Sequence, residues 1–276
     1  LSYTVRKMNA TAGIVITASH NPPSDNGYKV YFNDGAQATS PHAEGIVDNV
    51  NKTPLSEAAK FVAIDTSGVL TVPESVENAY VSSIEDCVVD KEILRERKPK
   101  IVYSAIHGTG AVMCPRVMRH FGLDPVFVEE QMVMDPRFPT VKQPNPEYPE
   151  TMSMGMALAE KCGAQCLVAT DPDADRMGAA IRTKSGKMRL ITGNTIGALL
   201  IAYRIGKMKK LGIIENLKNC AIIKSFVTTP LQDAIAEGEG VKCINVLTGF
   251  KWIGARLLAY EKKLLAALPA FDFPNS

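Results

Sequence analysis

Asp171-Pro172-Asp173-Ala174-Asp175-Arg176 places three carboxylates at alternate positions directly after the apolar run Leu167-Val168-Ala169. Like charges this close repel and raise one another's pKa values. A divalent cation removes that penalty, and hard oxygen donors suit Mg²⁺ or Mn²⁺. A calcium loop of the helix–loop–helix kind also opens D-x-D-x-D, but it needs Gly at its sixth position and Glu at its twelfth. Here those positions hold Arg176 and Arg182, so that reading fails. A solvated acidic turn is the remaining bland alternative. In α/β sheets, ligands bind at the C-terminal ends of strands, where this loop would lie. The planar fork of Arg176 suits a phosphate.

A second segment, Thr17-Ala18-Ser19-His20-Asn21-Pro22, also leaves an apolar strand. A hydrolase nucleophile would want G-x-S-x-G, which is absent. His20, adjacent to Ser19 in the chain, is poorly placed as its base. A serine on a sharp turn can instead carry a transferred group, though a plain turn is the default reading. Asn26-Gly27 makes another tight turn, and Lys29 follows as a cation that is by default a surface lysine. Two weaker segments remain. Leu247-Thr248-Gly249-Phe250-Lys251-Trp252 is a strand end with a glycine, a lysine and the only Trp, or equally a helix entry. Ile106-His107-Gly108-Thr109-Gly110 resembles an incomplete phosphate cradle without G-x-G-x-x-G or G-K-[ST], and a structural turn is the competing reading.

The elements that must position these residues alternate. Gly13–Thr17 and Tyr28–Phe32 read as strands. Ser40-Pro41 reads as an N-cap and N1 proline opening a helix, with another helix over about 74–85. The charged stretch Lys91–Lys100 reads as a domain boundary. Beyond it strands are expected at 101–106, 125–129, 166–170, 221–226 and 242–246. Helices are expected at 111–121, 152–162, 195–207, 230–237 and from about Trp252, and a hairpin over 177–191 turning at Ser185-Gly186. Pro139–Pro149 reads as a long loop without an obvious partner. The alternation implies parallel sheets covered by helices. The expected division is residues 1–97, 98–190 and 191–276.

The chain has 276 residues, 46% apolar and 22% charged, with net charge +2. That is globular composition, without the basic excess of a nucleic-acid binder. No apolar run approaches the ~20 residues that span a bilayer, so a soluble, cytoplasmic protein is expected. The six cysteines show no zinc-ligand spacing and read as buried free thiols in a reducing compartment. The chain opens on Leu1, with a motif within a dozen residues, which reads as a piece of a longer protein.

Together these segments resemble the α-D-phosphohexomutases, the phosphoglucomutase/phosphomannomutase family. Thr17–Pro22 is similar to its phosphoserine loop. Asp171–Arg176 is similar to its metal loop D-G-D-G-D-R, with Pro172 and Ala174 replacing the glycines. Phe138–Lys142, Pro144–Glu147 and Thr248–Trp252 look most like the long phosphoglucomutase/phosphopentomutase branch. The resemblance implies the first three of four domains, tandem similar α/β units each with a mixed, mostly parallel sheet covered by helices. It implies that Ser19 carries a phosphoryl group between turnovers, interconverting a sugar 1-phosphate and 6-phosphate through a bound bisphosphate. Ser19, Asp171, Asp173 and Asp175 would hold Mg²⁺, with glucose 1,6-bisphosphate as activator. Lys29 would be the general acid/base, a role that requires its pKa to fall towards neutrality through burial beside Arg176 and Mg²⁺. His20 and Arg176 would steady the phosphoryl group, and Thr248, Gly249 and Lys251 would touch the sugar phosphate. The family's N-terminal arginine, its G-E-E-S-G sugar loop and its fourth domain have no counterpart in this sequence. That implies retained phosphoserine and metal chemistry with a weakened grip on substrate. A Mg²⁺-dependent sugar phosphatase, a phosphomannomutase or phosphopentomutase, and a non-catalytic binding protein are the competing readings.

Overall fold

The computed structural model describes residues 1–58 and 66–267. The chain begins with a short helix, α1 (Ser2–Lys7), then β1 (Ala12–Ile16) and β2 (Tyr28–Phe32), which pair antiparallel with Val15 opposite Lys29. Helices α2 (His42–Lys52), α3 (Leu55–Ala58), α4 (Glu74–Ile84) and α5 (Lys91–Arg97) follow. Pro41 takes the N-cap position of α2, one place earlier than the N1 role expected for it, and the Ser40 hydroxyl bonds the Glu44 carboxylate instead of the helix backbone. The charged stretch at 91–97 is helical. The Asp90 carboxylate caps it by accepting from the Ile93 N–H at 3.2 Å, and Arg95 pairs with Glu92 one turn away.

The largest sheet has the order β4 (Val126–Phe127), β3 (Ile101–Ser104), β5 (Cys166–Thr170), β6 (Met177–Arg182), β7 (Met188–Ile191). β4, β3 and β5 run parallel; β6 and β7 complete it as the antiparallel hairpin expected from the sequence. Strand β3 is buried at every residue, and its polar Ser104 is satisfied inside by donating to the Gln131 side chain. Helix α6 (Gly110–His120) carries the chain from β3 to β4. The short α7 (Glu129–Met132) and α8 (Pro149–Cys162) then return it to β5 on the other side of β3. Pro149 occupies the first turn of α8, where its missing N–H costs nothing. Helix α8 packs on β3, β5 and β7, and Met152, Ala159, Leu167 and Ala180 form the buried centre.

The segment Pro139–Pro149 does find a partner. Pro144, Asn145 and Pro146 are buried. Gly178 of β6 lies so close beneath that a Cβ there would sit 2.2 Å from the Pro146 carbonyl oxygen. Proline-rich sequence hides this because it carries no periodicity to mark an inward face. The last unit comprises α9 (Gly193–Lys210), β8 (Ala221–Ser225), α10 (Leu231–Gly238), β9 (Lys242–Val246) and α11 (Phe250–Ala267), with β8 and β9 parallel. Ile205, Ala236 and Val241 form its buried centre. All six cysteines are free, but Cys87 is exposed and the others half-buried, so the expectation of buried thiols is corrected. No helix among the described residues is long and apolar enough to cross a membrane. The C-terminal residues 268–276 lie outside the described residues.

Candidate active site

The strand order makes a crevice before any side chain is considered. β3 sends its connection one way, to β4, and β5 arrives from the other, so the loops leaving their C-terminal ends diverge there. Such a switch point is where open α/β sheets bind ligands. The loop after β5 is Asp171–Arg176 and the loop after β3 is Ala105–Thr109.

The acidic loop is folded on itself. Its Asp171 N–H donates to the Arg176 carbonyl at 3.2 Å, the Ala174 N–H to the Asp171 carbonyl at 2.9 Å, and the Arg176 N–H to Asp171 Oδ1 at 3.1 Å. Ala174 adopts φ +58°, which explains why glycine would be at home there. Asp171 is fully buried. Burial, followed by the negative charges of Asp175 and Asp173, pushes its carboxyl up to about 6 against the pull of the Arg176 N–H and charge.

The serine loop meets it from β1. Ser19 holds φ +57°, a left-handed backbone that turns its side chain into the crevice. Its Oγ donates to Asp171 Oδ2 at 3.3 Å. The Thr17 hydroxyl accepts from the Ser19 N–H at 2.8 Å and donates to Asp173 Oδ1. Lys29 Nζ donates to Asp173 Oδ2 at 2.8 Å and lies 3.6 Å from Asp175 Oδ2. The antiparallel register explains this convergence: Lys29 faces Val15, and two residues on from Val15 the same face presents Thr17. Burial opposes the Lys29 charge, but the Asp173 hydrogen bond and the charges of Asp173 and Asp175 outweigh it and raise its pKa. The two carboxylates thus hold Lys29 charged, whereas the expected fall towards neutrality depends on Arg176 and Mg²⁺ beside it.

His20 lies 3.3 Å from Ser19 Oγ through Nδ1 and 3.4 Å from Arg176 Nη1 through Nε2. A guanidinium can only donate, so Nε2 accepts and the proton of the neutral ring sits on Nδ1, facing the serine as a donor. Burial and the Arg176 charge lower the His20 pKa and keep the ring neutral. In this tautomer His20 cannot take the serine proton.

The carboxylates and the serine hydroxyl are the hard oxygen donors a Mg²⁺ ion prefers, so the residue chemistry fits the ion. Among the described residues no three acidic, His or Cys side chains already converge as a ligand set. Lys29 holds Asp173 and Asp175 instead, a cation already lying against two of the three. A cleft of about 720 Å³ opens beside Ser19, also lined by Thr17, Gly108, Asp135, Phe138 and Asp173. That is within the range of small-molecule sites.

Thr248, Gly249 and Lys251 do not line this cleft. Thr248 lies 3.3 Å from the Ser225 hydroxyl, Gly249 turns at φ +114°, and Lys251 sits over the Trp252 ring at 5.4 Å. The sequence reading passed over Thr17 as a site residue in its own right, although a hydroxyl two residues before a turn serine is a ready loop anchor. It also passed over Asp135 on the cleft wall, for which only the turn-forming Asp135-Pro136 gave a hint, and it marked Phe138 only as the start of a family-like segment, without a place at the site.

Residues 1–57, 78–186 and 192–267 match, in turn, the phosphoglucomutase/phosphomannomutase alpha/beta/alpha domains I, II and III. A phosphopentomutase of Pongo abelii is 40% identical over 260 residues, covering 92% of this chain and 42% of the relative. A phosphoglucomutase of Staphylococcus aureus (strain MRSA252) is 35% identical over 262 residues, covering 93% of this chain and 46% of the relative. This chain therefore spans less than half the length of these relatives. A solved phosphoglucomutase/phosphomannomutase family protein from Burkholderia thailandensis superposes with a TM-score of 0.63 at 20% identity, over 90% of this chain and 47% of that one, and shares the fold.

Proposed function

The chain belongs to the phosphoglucomutase/phosphomannomutase family, and from that premise we propose that it carries the phosphoserine and metal loops of a sugar-phosphate mutase. Glucose 1-phosphate and glucose 6-phosphate are the proposed pair, interconverted through phospho-Ser19 and a bound glucose 1,6-bisphosphate. The observation that carries the proposal is the Ser19 hydroxyl hydrogen-bonded to the fully buried Asp171 carboxylate.

Phospho-Ser19 would give its phosphoryl group to one hydroxyl of the sugar monophosphate, and the serine oxygen would later take back the other phosphoryl group. In such transfers the charge spreads over the equatorial oxygens, so cations and positioning supply most of the catalysis. The neutral His20 offers its Nδ1–H and Arg176 its guanidinium to those oxygens. Lys29 holds a proton at Nζ as the structure stands. It serves as a base only once Asp173 and Asp175 turn away from it. Ser19, Asp171, Asp173 and Asp175 would hold Mg²⁺, which supplies charge neutralisation at the transferring phosphoryl group. Thr248, Gly249 and Lys251 are proposed to meet the substrate from the third unit. The proposed division of units remains 1–97, 98–190 and 191–276.

The phosphopentomutase relative favours a second reading, in which a pentose phosphate is the substrate. Phosphoryl labelling of Ser19 tests both. Labelling by glucose 1,6-bisphosphate supports the hexose reading, and faster labelling by ribose 1,5-bisphosphate would replace it with the pentose one.

A further inference from the structure

The loop after β3, set aside in the sequence as a weak phosphate cradle, lies against the acidic loop. Gly108 is in contact with the Pro172 backbone, where an added Cβ would fall 2.3 Å from Pro172 Cα and 2.7 Å from its oxygen. Thr109 donates twice to the Pro172 carbonyl, from its N–H at 2.9 Å and from its hydroxyl at 2.9 Å. Pro172 separates Asp171 from Asp173 and has no N–H of its own, so its carbonyl is its only backbone handle. We propose that Thr109 is a positioning residue, the end of a strut that fixes Pro172 and thereby sets the spacing of the Asp171 and Asp173 carboxylates towards a divalent cation.

The strut is anchored at its other end. Ile106 and His107 both adopt left-handed backbones, φ +45° and +60°, which non-glycine residues hold only when their surroundings over-determine them. The buried His107 supplies that restraint. Its Nδ1 lies 2.9 Å from the Val133 carbonyl, its Nε2 lies 2.8 Å from the Thr140 hydroxyl, and its N–H donates to the Gln131 carbonyl at 2.8 Å. The carbonyl at 133 can only accept, so Nδ1 carries the ring proton and Nε2 accepts from Thr140. The buried Gln131 side chain closes the network, accepting from Ser104 at 2.6 Å and donating to Thr140 at 3.1 Å. The turn is therefore rigid where it meets Pro172. Groups that orient metal ligands without touching the ion typically change metal affinity 10–100-fold when removed.

This inference rests on the proposed metal role of the acidic loop, and its test reads the ion directly. Mn²⁺ binding is measured by titration calorimetry on the protein and on Thr109→Val, Thr109→Ser and Gly108→Ala. Thr109→Val removes the hydroxyl while keeping the side chain's shape. It is expected to weaken Mn²⁺ about tenfold, with the metal-free melting temperature unchanged, and Thr109→Ser to restore the affinity. Gly108→Ala must displace Pro172 and is expected to cost roughly 100-fold. An unchanged Kd in Thr109→Val overturns the inference, as does an equal loss in Thr109→Ser. A lowered melting temperature with unchanged Kd would make Thr109 merely structural and overturns it too. If the unaltered protein binds Mn²⁺ but Ser19 takes up no phosphoryl group, the serine reading fails while the Thr109 comparison still decides this one. If the unaltered protein binds no Mn²⁺, both fail.

Discussion

Asp171→Asn should stabilise the metal-free protein while destroying its hold on a divalent cation. Asp171 is fully buried, and its carboxyl stands at about 6 against an ordinary 3.8. A folded-state pKa above the unfolded value means the native state prefers the protonated form. The group's favourable contribution is therefore present below about pH 4 and is lost as pH rises through about 6. A shift of about two units corresponds to about 3 kcal/mol held against the fold at neutral pH. Asparagine removes the charge and keeps the contacts, since its oxygen can accept from the Arg176 N–H and its amide can donate to Ser19 Oγ. Urea unfolding with a chelator present should show Asp171→Asn more stable than the unaltered protein by up to about 3 kcal/mol at pH 7.5. The difference should shrink towards zero below about pH 4. With saturating Mg²⁺ the order should reverse, because only the unaltered chain gains from binding. A metal-free variant less stable than its parent at pH 7.5 would refute the argument that burial and carboxylate repulsion are uncompensated there.

Thr17→Val keeps the shape of the anchor but strips the Ser19 N–H and Asp173 of their shared hydroxyl. A loss of about 2 kcal/mol at the site should slow Ser19 labelling roughly 30-fold with the melting temperature little changed; a rate within about twofold of the parent would show that the left-handed serine is held by other means. Leu167→Ala removes a fully buried side chain from the middle of the largest sheet. It should cost about 3 kcal/mol in urea unfolding, and a cost below about 1 kcal/mol would mean that α8 closes the cavity over Gly155.

Strands with strong chemistry of their own were legible in the sequence. Tyr28–Phe32, Cys166–Thr170 and Lys242–Val246 have the boundaries read from their β-branched and apolar runs. Helix α5 was hidden because its charges read as a domain boundary, although Asp90 and the Glu92–Arg95 pair are helix signals. The burial of Pro144, Asn145 and Pro146 was hidden because this inward face is made of prolines and an asparagine rather than of periodic apolar residues. At the site, residue types and spacing marked the carboxylates and the serine, and the family resemblance joined them. What no spacing could supply is the contact between residues some 150 positions apart, Ser19 with Asp171 and Lys29 with Asp173. That contact depends on the β1–β2 register and on the switch point between β3 and β5. The charge state of Lys29 was likewise out of reach, because it is set by two carboxylates brought to it by the fold.

The most direct test of the account is intact-protein mass spectrometry before and after incubation with Mg²⁺ and glucose 1,6-bisphosphate, run alongside Ser19→Ala. A gain of about 80 Da, one phosphoryl group, that maps to Ser19 and is missing from Ser19→Ala is the predicted result. Equal labelling of Ser19→Ala, or a phosphoryl group mapped to another residue, would contradict the assignment of Ser19 as the phosphoryl carrier.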